Sequence, residues 1–284
     1  MSRKSLFHFV LVGILWGIPY LLMKVAVEDF PPAAVVAGRT LIGASILIPV
    51  AVYRKKFKGA VLGFKFVAFY ALMEMIGPWI LITTAEQKIN SGLAGLLVST
   101  VPIFATIITS LRGDHSVWQF KRIFGIIVGF IGLIFVVGIE SLSGNSDPLS
   151  IGMVILAAMG YSYAVIMVTS NLPTVDGIAI NGLAMAITSV FWAPFAITQW
   201  PSSISINSAL SLLALGVFST AFAFILFFKV MAEIGPARGS LVTYLNTAIA
   251  VLLGVIILRE PLTVGIVVGL PLVLVGSYLA SRKN

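Results

Sequence analysis

Ser99, Thr106 and Asn246 are hydrogen-bonding side chains set inside long apolar runs, and each belongs to a face of small or polar residues at helical spacing. The first face is Gly95, Ser99, Pro102, Thr106 and Ser110. An offset of 144 residues, the step from Ser99 to Thr243, carries it onto Gly239, Thr243, Asn246, Ala250 and Gly254. Hydroxyl and amide groups in such places can hold a polar ligand out of water. Pro102 adds to this, since a proline in mid-helix removes a donor and frees a carbonyl. Close helix packing asks for the same small residues. Asn246 weighs toward a cavity, because a buried amide needs partners that a substrate or water would supply.

Glu74 is the acid placed inside an apolar run, at 62–84. Charge at membrane depth is costly, and such residues usually face the interior of a bundle, although Glu74 lies within about three turns of the inner end of its run and could reach the interface instead. Pro78 and Trp79 follow about one turn later, where the proline should kink the helix and swing the indole. Trp16 and Tyr161 occupy matching places in the two halves, 145 residues apart, and Tyr163 and Tyr244 also lie within apolar runs. Aromatic faces suit an apolar or aromatic substrate group, although core packing uses the same residues. The candidate binding residues are therefore Trp16, Glu74, Trp79, Gly95, Ser99, Pro102, Tyr161, Thr243, Tyr244 and Asn246. Arg39 and Lys24 read as structural, with Arg39 pairing to Glu28, Asp29 or Glu86 near one membrane boundary. A zwitterionic ligand would then be held mostly by neutral groups: Ser99, Thr243, Asn246 and the carbonyl freed at Pro102.

The residues needed for bond-breaking chemistry are missing. There is no cysteine, hence no disulfide framework, thiolate metal site or cysteine nucleophile. His8 and His115 stand apart and form no metal-spaced pair. No paired acids or histidine cluster suggest an intramembrane enzyme, and no Walker A sequence suggests nucleotide hydrolysis. No catalytic residue, metal or cofactor is expected.

What must position these side chains is a membrane bundle. Of 284 residues, 59% are hydrophobic and only 10% charged, and the mean hydropathy is +1.09. A soluble domain carries about 25% charged residues to face water, and this chain has no stretch polar enough to form one. The net charge of +8 is spread over short loops, not gathered into a nucleic-acid patch. About 20 apolar residues cross a bilayer. Ten runs qualify: 6–27, 32–53, 62–84, 91–111, 120–139, 149–169, 178–199, 208–230, 237–258 and 262–281. The start, Ser2-Arg3-Lys4 and then an apolar run, imitates a signal peptide, but without a small-x-small cleavage site it reads as a retained first span.

The basic residues orient these spans. With the N-terminus in the cytoplasm, the inner side holds Arg3, Lys4, Arg54, Lys55, Lys56, Lys58, Lys65, Arg112, Lys121, Arg122, Lys229, Arg238, Arg282 and Lys283. The outer side holds Lys24, Lys88 and Arg259, and Arg39 falls within a span. This split follows the positive-inside rule. The one flexible linker, 141–147, separates two halves of five spans, 1–140 and 148–284. An odd number of spans reverses the second copy. The expected architecture is an all-α polytopic membrane protein of ten transmembrane helices, built as two inverted five-helix repeats. Such repeats exchange conformations and open one site to alternate sides, which is how secondary transporters work.

Several of these residues also carry a family resemblance. Leu15-Trp16-Gly17 with Lys24, and Arg39 followed by small residues, resemble the first two spans of an EamA-type member of the drug/metabolite transporter superfamily. Ser91-Gly92-Leu93-Ala94 with Val101-Pro102 is similar to that family's third-to-fourth span corner. Arg259-Glu260-Pro261-Leu262-Thr263, leading to Gly269 and Gly276, resembles the end of its second repeat. The first repeat departs from the pattern, with Arg112-Gly113-Asp114-His115 where the family usually has a Glu. The resemblance is greatest to the YddG-type exporters of aromatic and other neutral amino acids. It implies an exporter of such amino acids in a bacterial cytoplasmic (inner) membrane, with both termini cytoplasmic and no nucleic-acid partner. The alternatives are an exchanger or importer of another metabolite, such as a nucleotide-sugar or base, or, further off, a membrane sensor without transport. A basic cavity for phosphates would favour the nucleotide-sugar.

The charge split makes the topology testable, because introduced cysteines are the only ones in the chain. A cysteine at Ser143 should be labelled by a membrane-impermeant thiol reagent in intact cells, and one at Lys56 only after permeabilisation. The reverse pattern would contradict both the orientation and the inversion.

Overall fold

Large apolar side chains cover the outside of the bundle. Leu41, Tyr53, Ile134, Val190, Ile197, Ile206 and Ile256 are all largely exposed, while Arg39, Thr40, Thr83, Ser99, Thr100, Ser162, Thr188, Ser219, Thr220, Thr247 and Ser277 are buried. That is the arrangement expected when the solvent is lipid. The computed structural model describes residues 2–113, 119–142, 147–235, 239 and 241–281. Asp114, His115, most of the 141–147 linker, Arg238, Arg282 and Lys283 lie outside the described residues.

Among the described residues the chain is helical and has no strand. The first half runs α1 (Arg3–Ala26), α2 (Pro32–Tyr53), a short α3 (Phe57–Leu62), α4 (Phe64–Ala71), a π-helical segment (Leu72–Ile76), α5 (Gly77–Ala85), α6 (Ser91–Val98), α7 (Val101–Leu111) and α8 (Phe120–Leu142). The second half runs α9 (Pro148–Asn171), α10 (Gly177–Thr198), α11 (Ile206–Ala214), a second π-helical segment (Leu215–Phe222), α12 (Ala223–Ile234), α13 (Val242–Ile256) and α14 (Val264–Ser281). Among the described residues, seven continuous runs are long and apolar enough to cross a membrane, including the composite runs Phe64–Ala85, Ser91–Leu111 and Ile206–Ile234. At 15 residues, α13 is shorter than the expected 237–258.

Helix starts are capped by the residues that sequence rules favour. Ser2, Asp147, Asp176 and Ser205 each accept a hydrogen bond from a backbone N–H of the first turn. Asp29, in the α1–α2 corner, accepts from the Ser205 N–H at 2.9 Å, and hydrogen bonds from Ser205 hold its carboxyl below the usual carboxylate range. At the far end of α12, Gly235 has φ +79°, a conformation that stops the helix and suits only glycine well.

The two interrupted runs of the first half have a physical cause. Pro78 has no N–H for the Glu74 carbonyl, and the ladder before it widens so that the Gly77 N–H bonds to Leu72 O. Pro102 likewise removes a donor from 91–111, but there the ladder tightens, with Ser99 N–H bonding Leu96 O and Thr100 N–H bonding Leu97 O, and the run breaks at Ser99 and Thr100 into α6 and α7. Hydroxyls from other helices satisfy carbonyls at this break: Ser277 of α14 donates to Ser99 O and Ser162 of α9 donates to Val101 O, both at 2.8 Å.

Packing joins the halves. α2 lies along α10, α8 along α14, and α6 on α13. The remaining contacts come in exchanged pairs: α1 packs on α13 as α9 packs on α6 and α7. Likewise α1 meets α11, α12 and the π-helical segment between them, as α9 meets α4, α5 and theirs. Glycine sets the α8–α14 distance, since a Cβ at Gly276 would fall on the backbone of Gly129 and Gly125. Glu260 caps α6 from the other half, accepting from Ser91 N at 2.8 Å, Ser91 Oγ at 2.9 Å and Gly92 N at 3.2 Å. Lys24 plays the structural part expected of it, donating to Glu86 O and Ile89 O at the end of α5.

Backbone at a glycine contact cannot move aside as a side chain can. Gly276→Val should therefore destabilise the protein by about 1–3 kcal/mol, the usual cost of overpacking. Gly152→Ala, where nothing lies within 4 Å of the added methyl, should be neutral or better. Thermal unfolding of both variants in detergent checks this; equal midpoints would contradict the glycine-set contact.

Candidate functional site

A cavity of about 1080 Å³ lies between the halves. Its wall runs past Thr109, Arg122, Thr169 and Leu172 to Val175, at the helix ends beside the 54–58 loop, where Gly59 approaches Val175. At the opposite end the lining stops at buried side chains, which close it. Tyr20, Met23, Arg39 and Ile82 are the lining residues nearest that end of α1, α2 and α5. The cavity thus opens toward the basic end of the bundle and stops short of the other.

Arg39 forms the closed end with Trp79. Its guanidinium carbon lies 3.8 Å from the Trp79 ring centroid, a cation–π stack. Nε and Nη2 donate to Thr220 Oγ1 at 3.3 and 3.1 Å, and Nη1 reaches Met23 Sδ at 3.6 Å. Thr83 donates to the same sulfur at 3.5 Å. The expected pairing of Arg39 with Glu28, Asp29 or Glu86 is not found. Asp29 is engaged with Ser205, and the Glu86 carboxylate oxygens are buried without a hydrogen-bond partner. Beyond the closure, Lys24, Val27, Glu28, Glu86 and Gln87 line a second, smaller cavity of about 230 Å³.

The π-helical segment positions Glu74. Its carboxyl lines the main cavity, and Oε2 is buried without a hydrogen-bond partner. Tyr70, one turn earlier, donates to Asn181 Oδ1 at 3.1 Å, and Asn181 Nδ2 in turn donates to Gly177 O. Trp192 N–H donates to Ile76 O at 3.1 Å, satisfying a carbonyl of this widened turn. On the opposing wall, Trp16 packs against Phe224 and Phe227, with ring centroids 5.5 and 4.5 Å apart. Ser99 donates to Leu96 O at 2.6 Å, which leaves its oxygen as an acceptor. Asn246 Oδ1 accepts from Thr247 at 3.3 Å, and Tyr244 meets Tyr278 edge to face.

Trp16, Glu74, Trp79, Ser99, Pro102, Tyr161, Thr243, Tyr244 and Asn246 all line this cavity. Gly95 does not. A Cβ there would meet Ala250 Cβ at 2.8 Å, so its smallness serves the α6–α13 contact. Tyr163 faces outward and meets Phe69 edge to face. Sequence reasoning passed over Arg39, Asn181 and Tyr70 as cavity residues. A charged residue within a span was the available signal for Arg39; the other two carry no pattern that sets them apart.

Comparison with known proteins gives this geometry a family. The model of the EamA-like transporter family matches twice, over residues 3–138 and 148–282. The uncharacterized transporter YoaV of Bacillus subtilis is 27% identical over 281 residues, covering 97% of this chain and 96% of that one. The uncharacterized inner membrane transporter YedA of Escherichia coli K12 is 25% identical, over 95% and 90% of the two chains. A protein of known crystal structure shares the fold, with a TM-score of 0.66 at 17% identity over 98% of both chains. Two matches that together span nearly the whole sequence show that this chain, a multi-pass membrane protein, belongs to the EamA-like transporter family.

Proposed function

We propose that the protein is a secondary transporter that exports neutral amino acids, aromatic ones included, by alternating access of the central cavity. The observation that carries this reading is the charge pattern of the wall. Two buried cations, Arg39 at the closed end and Arg122 near the mouth, and one acid, Glu74, line the same cavity, and neither Arg39 nor Glu74 is in an ion pair among the described residues. A neutral amino acid presents the complementary pair, a carboxylate and an ammonium, on one small molecule. Trp16, Trp79, Tyr161 and Tyr244 supply apolar and aromatic surface for its side chain. The neutral groups expected to bind the whole zwitterion, Ser99, Thr243 and Asn246, become auxiliary to Arg39 and Glu74.

The wider architecture supports transport. In this reading the chain forms ten spans in two inverted repeats of five, consistent with the exchanged helix contacts and the two π-helical segments at matching places. The positive-inside rule puts the basic end, and so the mouth of the cavity, in the cytoplasm. The structure would then be the inward-facing state, loaded from the side an exporter draws on. Opening the Arg39–Trp79 end while closing the basic end would release the load.

Counterflow into proteoliposomes, with a panel of radiolabelled amino acids and nucleotide-sugars, tests the reading. Several neutral amino acids should exchange, and aspartate and lysine poorly. Preference for a charged amino acid or a nucleotide-sugar would overturn it. Within that assay, Ser99→Trp and Thr243→Trp should fill the cavity and block exchange while the protein stays folded. Asn246→Leu should lower exchange of all substrates together by about tenfold, the loss of one hydrogen bond to a charged group. Folded variants with unchanged exchange would remove these residues from the substrate wall.

A further inference from the structure

Arg39 carries a full positive charge and five N–H donors in a planar fork. Its partners are Thr220 Oγ1 and Met23 Sδ, both neutral. The residue is only 6% exposed, and it lines the cavity. Ion pairs among the described residues, His8–Glu233 and Lys88–Asp147, leave it out. A cation withdrawn from water without a counter-charge is strongly unfavourable. The Trp79 face offsets part of that cost and holds the guanidinium plane in place. What the site lacks is an anion, and its open side is the cavity.

We infer that Arg39 is the receptor for a carboxylate of the transported molecule, which docks edge-on to the guanidinium at the closed end of the cavity. This rests on reading the cavity as a substrate site, and it names the group that the site requires. Three observations converge on a carboxylate. The fork matches two oxygens in one plane, a geometry that a point charge does not offer. Trp79 blocks one face of the guanidinium, so an anion must approach its edge. The Arg39 end is the dead end of the cavity, so the acid group enters first. The rest of the substrate trails toward Trp16, which lies one helical turn nearer the mouth than Tyr20. A free carboxylate is therefore obligatory, and amides and simple amines are poor ligands.

Purified protein in detergent tests this with two pairs of probes: phenylalanine against phenylalaninamide, and 3-phenylpropionate against its amide. Affinities are read from ligand-induced thermal stabilisation. In the wild type each acid should bind at least about tenfold tighter than its amide, as expected for a charge-assisted contact in a buried site. Arg39→Gln should bring the two members of each pair to equal affinity by weakening the acids alone. Should that variant not fold, phenylglyoxal modification of wild-type Arg39, followed by mass spectrometry, replaces it. The acids should then slow the reaction and the amides should not. Equal binding of acids and amides by the wild type, undiminished preference in Arg39→Gln, absence of protection, or no binding by any probe overturns the assignment. Arg39-dependent acid binding without counterflow of any amino acid would keep this assignment and remove the amino-acid reading.

Discussion

The stack of Arg39 on Trp79 is the contact on which the closed end of the cavity depends. A lone guanidinium in a membrane bundle must be met by something, and here it is met by one indole, one hydroxyl and one thioether. Those groups come from α5, from the second π-helical segment and from α1, while Arg39 itself comes from α2. One side chain thus ties both halves of the chain together at a single level. No carboxylate completes the set among the described residues, which leaves the tie incomplete and responsive to a ligand. A structural cation would be expected to have its counter-ion built in.

Backbone hydrogen bonding is the other constraint, and it explains where the helices are irregular. In a bilayer an unsatisfied carbonyl costs several kcal/mol, so a break in a span is tolerated only where another group repairs it. At Ser99 and Val101 the repair comes from Ser277 and Ser162. At Ile76 it comes from Trp192. Both repaired regions adjoin the cavity: Ser99 and Pro102 line it from one, Glu74 and Trp79 from the other. Proline creates the irregularity, neighbouring helices stabilise it, and the displaced turns present polar side chains inward.

Much of this was legible in the residue order. Apolar runs separated by Pro31-Pro32, the 54–58 cluster and the 86–90 corner reappear as helices and corners, because lipid leaves the backbone few alternatives. The face around Ser99 and its copy around Thr243 do line one cavity. Gly95 was misplaced because a small residue suits a helix contact and a cavity wall equally, and only the position of Ala250 decides between them. Arg39 was misread for a related reason. Three acids stand within reach in the sequence, but Asp29 is held by Ser205 and the Glu86 carboxylate oxygens have no hydrogen-bond partner. Pairing of that kind is decided by tertiary geometry, which neither spacing nor composition records.

The proposed transport cycle requires one cavity whose two ends open in turn. Distances between spin labels measure that directly, and a chain without cysteine accepts label pairs without background. One pair, at Glu28 and Gln87, spans the small cavity beyond Arg39. The other, at Thr174 and Ala232, spans the corners beside the open mouth. In proteoliposomes each pair should give two distance populations. Conditions that lengthen the first distance should shorten the second, with added neutral amino acid shifting both. A single population in both pairs, unchanged by any substrate, would contradict alternating access.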